Sequence, residues 1–163
     1  MGLPAGLCCL EESCACSPTK PGTGRSAERE LAQRGIPCFW TTKRTIIKSM
    51  IDRARGLKPR LEQAGCTVLE VYPYATKRRL LGRSLPRKRS PEGLARLVGG
   101  ARALLPGARW PDPWTPSHDQ LDALYCALTA RLYVRGETEA LGDLDEVPII
   151  VPKMGTRVTS ADC

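Results

Sequence analysis

Thr67-Val68-Leu69-Glu70-Val71-Tyr72-Pro73 is the stretch whose reading decides the fold. Its β-branched and apolar residues read as a buried strand, and Pro73 stops it. A helical pattern lies immediately upstream. Thr41 and Thr42 offer a helix start. Ile47, Met50, Ile51, Ala54, Leu57, Leu61 and Ala64 follow on one apolar stripe, and Gly65 closes the helix. Downstream, residues 75–82 read as a basic helix and Arg83 to Ser90 as a charged loop. A helix–strand–helix order around one buried strand is an α/β pattern.

The rest of the chain is helix-rich. Ser26 to Gln33 suits a short polar helix broken by Gly35 and Pro37. Pro91 opens a helix with Leu94, Leu97, Val98, Ala101, Leu104 and Leu105 on one face, which the Gly99-Gly100 pair weakens. Four prolines and two tryptophans in residues 106–116 make a rigid loop. Ser117 and Gln120 form a capping box ahead of the clearest helix, about residues 117–134. Val147-Pro148-Ile149-Ile150-Val151 reads as a short strand that its proline confines to a sheet edge. Only one good strand emerges, yet a buried strand needs partners for its N–H and C=O groups.

Composition narrows the function. With 163 residues the chain suits one domain. The expected division is a Cys/Pro/Gly-rich segment 1–25, an α/β domain over 26–152 and a tail 153–163. No apolar run reaches membrane-spanning length, and residues 1–7 lack the pattern of a secretory signal. A reducing, cytoplasmic setting without disulfides is expected. Lys and Arg total 25 against 17 acids, a net charge of +8, which points to a polyanionic partner. The basic residues cluster at Lys43, Arg44, Lys48, Arg53, Arg55, Lys58 and Arg60, and again at Lys77, Arg78, Arg79, Arg83, Arg87, Lys88 and Arg89. The plainer reading of both clusters is a solvated face.

Two acids stand out. Glu70 sits within an apolar strand, where an ionised carboxylate must be paired, bind metal or point to a wet face. Asp122 lies about 100° round its helix from the apolar centre at Leu121, beside Cys126 and Thr129; alternatively it simply answers the helix dipole. Carboxylates from a strand and a helix are what divalent-metal phosphoryl chemistry uses, with Mg or Mn as the hard cation, although one or two more ligands are needed. Cys9, Cys14 and Cys16, with Cys38 as a fourth, form a weak zinc pattern against the alternative of reduced thiols in a loop. The single histidine, His118, has no nucleophile at motif spacing and reads as a helix-start residue, so Ser-His or Cys-His catalysis is not expected. Gly22-Thr-Gly24 with Ala27 follows no strand and is not a dinucleotide fingerprint.

Several segments resemble the domain-of-unknown-function family 429. They are Leu3-Pro4 with the cysteine loop, Gly24-Arg25, Glu28-Arg29, Arg34-Gly-Ile-Pro-Cys-Phe39, Thr41-Thr-Lys-Arg44, Leu69-Glu-Val-Tyr-Pro-Tyr-Ala-Thr-Lys77, Asp119-Gln-Leu-Asp-Ala-Leu124, Thr129-Ala-Arg131 and Asp143 to Pro152. The resemblance implies a ribonuclease H-like fold and a divalent-metal-dependent nuclease. It makes Glu70 and Asp122 the catalytic, metal-binding acids and Lys43, Arg44 and Lys77 phosphate contacts, with Arg78 and Arg79 beside them. The family's early Gly-x-Asp and Asp-Ala-Pro elements are missing here. Met1 is therefore expected to fall after the central strands, leaving a partial, helix-rich fold with few strands and an incomplete metal site. The alternatives are a non-catalytic nucleic-acid-binding module and a zinc-stabilised interaction protein.

Overall fold

A computed structural model of the chain describes residues 24–41, 45–85, 90–143 and 146–156. The elements are α1 (Ser26–Gln33), α2 (Lys48–Gln63), β1 (Glu70–Val71), α3 (Pro73–Leu81), α4 (Pro91–Leu104), α5 (His118–Val134), β2 (Thr138–Leu141) and β3 (Ile149–Pro152). The protein is a helix-rich α/β protein. Two compact units form: one ends at Tyr72 and resumes over Glu139–Val151, and the other holds Pro73–Thr138 and continues from Pro152.

The first unit carries the sheet, in the order β1-β3-β2. β1 runs parallel to β3, with Glu70 opposite Ile149 and Val71 opposite Ile150. Three departures from the sequence reading follow. β1 is limited to two residues rather than six. β2 is a strand that the sequence pattern did not reveal. β3 is the central strand, not an edge, because Pro148 lies just outside it and its absent N–H costs the ladder nothing. All four β3 residues are buried, as suits a strand flanked on both sides.

Three helices end in the same way. After α1, α2 and α5, a glycine with positive φ (Gly35, Gly65, Gly136) donates to the carbonyl three residues back. The next residue donates to the carbonyl five back: Ile36 to Leu31, Cys66 to Leu61, Glu137 to Leu132. This is the Schellman arrangement, which satisfies the last carbonyls of each helix. The start of α2 differs from expectation. It begins at Lys48, with Ile47 at the N-cap and no side-chain cap. Thr42 lies outside the described residues. Of the predicted stripe, Ile51 and Ala54 are buried, while Met50 and Leu57 remain more than 40% exposed.

Pro59 stands inside α2. It cannot donate to the carbonyl one turn back, and its ring crowds that turn. Pro59→Ala is therefore expected to stabilise the first unit. The helix gains up to about 3 kcal/mol, less about 1 kcal/mol for the freer unfolded chain. A higher denaturation midpoint at unchanged slope would verify it.

In the second unit, α3 and α4 both pack on α5. Leu97 and Ala101 of α4 join Leu121, Tyr125 and Leu128 of α5 in the core, and Trp110 and Trp114 pack against it from the proline-rich loop. Gly100 suits the close approach of α4 to its neighbours. A Cβ there would lie 2.6 Å from Leu81 Cδ2 and 3.2 Å from the Tyr125 hydroxyl. Of the glycine pair that looks like a weakness in isolation, Gly100 thus admits the side chains of its neighbours, while a Cβ at Gly99 would meet nothing within 4 Å. Ser117 and Gln120 form the expected capping box of α5. Pro73 ends the strand as predicted, and it also opens α3, where a missing N–H is tolerated.

Candidate functional site: two carboxylate–cation pairs

Glu70 is buried at the sheet, and its charge is answered within its own unit. Both carboxylate oxygens face Arg25: Nη1 donates to Oε2 at 2.9 Å and Nη2 donates to Oε1. The two side chains are at most 3% exposed. Such a forked pair matches the planar guanidinium to the carboxylate. Arg25 is placed by α1, for which it is the N-cap residue. Its Nε donates to Glu28 Oε1 at 3.3 Å, and Nη1 also reaches the Val147 carbonyl at 3.3 Å.

Glu28 is equally buried and equally committed. Its carboxylate accepts the backbone N–H groups of Arg25 (3.2 Å) and Thr41 (3.0 and 3.1 Å), and the Thr41 hydroxyl. Burial opposes the Arg25 charge, but the hydrogen bond and charge of Glu70, with Glu28 behind them, outweigh it and hold the guanidinium pKa above its ordinary value. Cys38 sits beside this cluster and donates to the Glu28 carbonyl at 3.5 Å. Burial first, and then the Glu28 charge, push its thiol up to about 11, so it stays protonated at neutral pH.

Asp122 belongs to the second unit. Lys77 of α3 donates its ammonium to Asp122 Oδ1 on α5. The lysine is 7% exposed and the aspartate 36%. The Lys77 Nζ also lies 5.3 Å from the centre of the Tyr125 ring, within cation–π range. Thr76 and Thr129 share a buried hydrogen bond of 2.8 Å beside the pair. The Tyr125 hydroxyl donates to the Leu97 carbonyl at 2.9 Å. Asp122 thus lies at the flank of its helix, half-buried near Thr129, as its position predicts, while Asp119 is exposed.

The sequence-predicted residues distribute as follows. Glu70 and Asp122 fall in different units, each against its own buried cation. Lys77 is buried with its ammonium on Asp122, so it does not present a charge to solvent phosphate. Arg78 and Arg79 are half-buried on α3, with the Arg78 guanidinium 6.0 Å from the Tyr74 ring centre. Lys43, Arg44, Cys9, Cys14 and Cys16 lie outside the described residues. Among the described residues, no group of three or more His, Cys, Asp and Glu side chains could hold a metal ion. None of the described helices is long and apolar enough to cross a membrane.

Fitting a resident Mg or Mn ion to these acids fails on geometry. Such an ion needs carboxylate lone pairs at about 2.0–2.2 Å in a near-octahedral oxygen shell. The lone pairs of Glu70 face guanidinium N–H groups, and one of the two Asp122 oxygens receives an ammonium. Arg25 and Glu28 are the residues that sequence reasoning missed. An available signal was the Arg-x-x-Glu spacing at the start of a helix, half of a capping box in which Glu28 accepts the Arg25 N–H.

A helix-rich α/β protein with a short parallel pairing and a basic surface is the class these features define. The profile of the family described as "Protein of unknown function (DUF429)" matches residues 2–147, and the chain belongs to that family. No curated protein and no solved structure matches the chain significantly.

Proposed function

We propose that the chain binds nucleic acid through backbone phosphates and, with the residues described, does so without cleaving it. The observation that carries this reading is the set of exposed cations on α2. Arg53, Arg55 and Arg60 are exposed there, and none of them meets an acid among the described residues. The other two cations of the helix are spent locally: Lys48 on Asp52 and Lys58 on Glu62, each one turn away. Three unspent guanidinium groups on one helix, in a chain of net charge +8, are a phosphate-binding device. They position a backbone and read no bases.

Metal-dependent hydrolysis, the activity the family resemblance implies, fits the geometry less well, because Glu70 and Asp122 each face a buried cation. The ribonuclease H-like fold remains part of this proposal, supported by the parallel β1–β3 pairing and by β1 leading directly into α3. A cytoplasmic setting accords with it.

Fluorescence anisotropy with labelled DNA and RNA, titrated with salt, tests the proposal. Micromolar or weaker binding at physiological salt is expected, with affinity falling steeply as salt rises. Exchanging Arg53, Arg55 and Arg60 for glutamine should reduce the salt slope by about 2–3 and weaken binding by roughly tenfold or more. Binding unchanged by the triple exchange would refute the assignment to α2. Magnesium-dependent cleavage of the same oligonucleotides, lost in Glu70→Gln, would restore the nuclease.

A further inference from the structure

The disagreement between Glu70 and a metal has a particular form. Arg25 does more than neutralise one carboxylate. Its guanidinium lies among oxygens from three parts of the first unit: Glu28 of α1, Glu70 of β1 and the Val147 carbonyl before β3, while the Thr41 hydroxyl donates to Glu28. Nε, Nη1 and Nη2 all donate to them. Arg25, Glu28, Thr41 and Glu70 are each more than nine-tenths buried. This donor set of carboxylates and a carbonyl is the kind hard cations choose, and it already holds a cation.

We propose that this cluster is a cation site whose resident occupant is the Arg25 side chain, so that the intact chain takes no divalent metal at Glu70. Arg25 acts as a positioning residue: it ties α1, β1 and the segment before β3 around one charge. An entering divalent ion would have to displace a forked, buried guanidinium or sit beside it, and like charges at such range repel strongly in a poorly solvated site. Removing the arginine leaves two buried carboxylates facing a space shaped for a planar cation. Free guanidinium should fill that space better than a spherical ion, because it alone restores the fork to Glu70. This inference does not depend on nucleic-acid binding, and its test needs no oligonucleotide.

The experiment uses the full chain. Thermal denaturation and calorimetric titration with MnCl2 and MgCl2 should show no binding and no stabilisation of the unaltered protein. Arg25→Ala should melt roughly 10 °C lower. Low millimolar guanidinium should raise the midpoint of that variant while leaving the unaltered protein unmoved or slightly lowered. Should Arg25→Ala fail to fold, Arg25→Lys, which keeps the charge without the fork, should fold with a lower midpoint and likewise take no Mn2+. Stoichiometric Mn2+ binding by the unaltered chain, abolished in Glu70→Gln, would overturn the proposal. So would an Arg25→Ala protein as stable as the parent.

Discussion

Glu70→Ala is expected to cost the first unit about 3–5 kcal/mol, because it leaves the Arg25 guanidinium buried without its forked partner. The penalty is large not because the ion pair is a strong source of stability. Replacing such a pair whole by apolar residues is often neutral; removing half of it leaves an uncompensated charge in a site that cannot solvate it. Asp122→Ala supplies the contrast. Its side chain is about one-third exposed, water can approach Lys77 once the carboxylate is gone, and the loss should be well below that at Glu70. Two equivalent metal ligands would instead give small stability losses at both sites and loss of metal at both. The two units need not unfold together, so the measurement needs a reporter in each. Trp40 lies in the first unit and Trp110 and Trp114 in the second. In a background with Trp110 and Trp114 replaced by Phe, Trp40 fluorescence during urea denaturation reports the first unit alone. An unchanged midpoint for Glu70→Ala in that assay would mean that Arg25 finds another partner or reaches water.

What the sequence revealed and what it concealed separate along physical lines. Helices announce themselves through local interactions: the capping box at Ser117 and Gln120, the terminal glycine Gly65, the stripe through Ile51 and Ala54. All of these contacts close within five residues, so the pattern is complete in the local sequence. Strands are defined by partners elsewhere. Thr138-Glu139-Ala140-Leu141 becomes β2 with only Leu141 buried, a pattern too weak to see without its neighbour β3. Pro148 misled for a related reason: a proline one residue outside a strand looks the same in sequence as one inside it. The candidate site repeats the lesson. Glu70 is conspicuous because an acid in an apolar run demands an explanation. The explanation, Arg25, lies 45 residues away, and only the Arg-x-x-Glu spacing sets it apart from the other arginines of a basic chain. The need for an explanation at Glu70 was therefore legible, whereas its burial and the identity of its counter-charge were not. Met50 and Leu57 show the opposite failure, since periodicity marks which residues share a face but not whether anything covers that face.

Gly142→Ala should destabilise the first unit by about 2–5 kcal/mol, and here the cause is the main chain. Gly142 has φ +98°, a conformation that side chains disfavour by about 1–2 kcal/mol. Gly65 at +82° carries the same penalty, but a Cβ there meets nothing within 4 Å. At Gly142 the added carbon would lie 2.7 Å from the Ala27 nitrogen and Cβ and 2.9 Å from its Cα. No rotamer change relieves contact with backbone, so either α1 or the turn after β2 must move, at a further cost of about 1–3 kcal/mol. That turn is also what fixes the start of α1. The Gly142 N–H donates to Glu30 at 2.8 Å and the Asp143 N–H to the Ser26 hydroxyl at 2.8 Å. Glu146 in turn accepts both the Ser26 N–H and its hydroxyl. The bond from Gly142 is the main reason the Glu30 carboxyl titrates below its ordinary value, with Arg34 assisting. A lowered carboxylate pKa contributes stability above the ordinary carboxylate range, and that contribution disappears as the pH falls through the lowered value. Gly142→Ala should consequently bring the Glu30 titration, followed by carboxyl NMR shifts, back up toward its ordinary position, whereas Gly65→Ala should leave it alone. A loss of about 1–2 kcal/mol in both variants, with Glu30 unmoved, would show that conformational preference alone is at work and that α1 does not press on the turn.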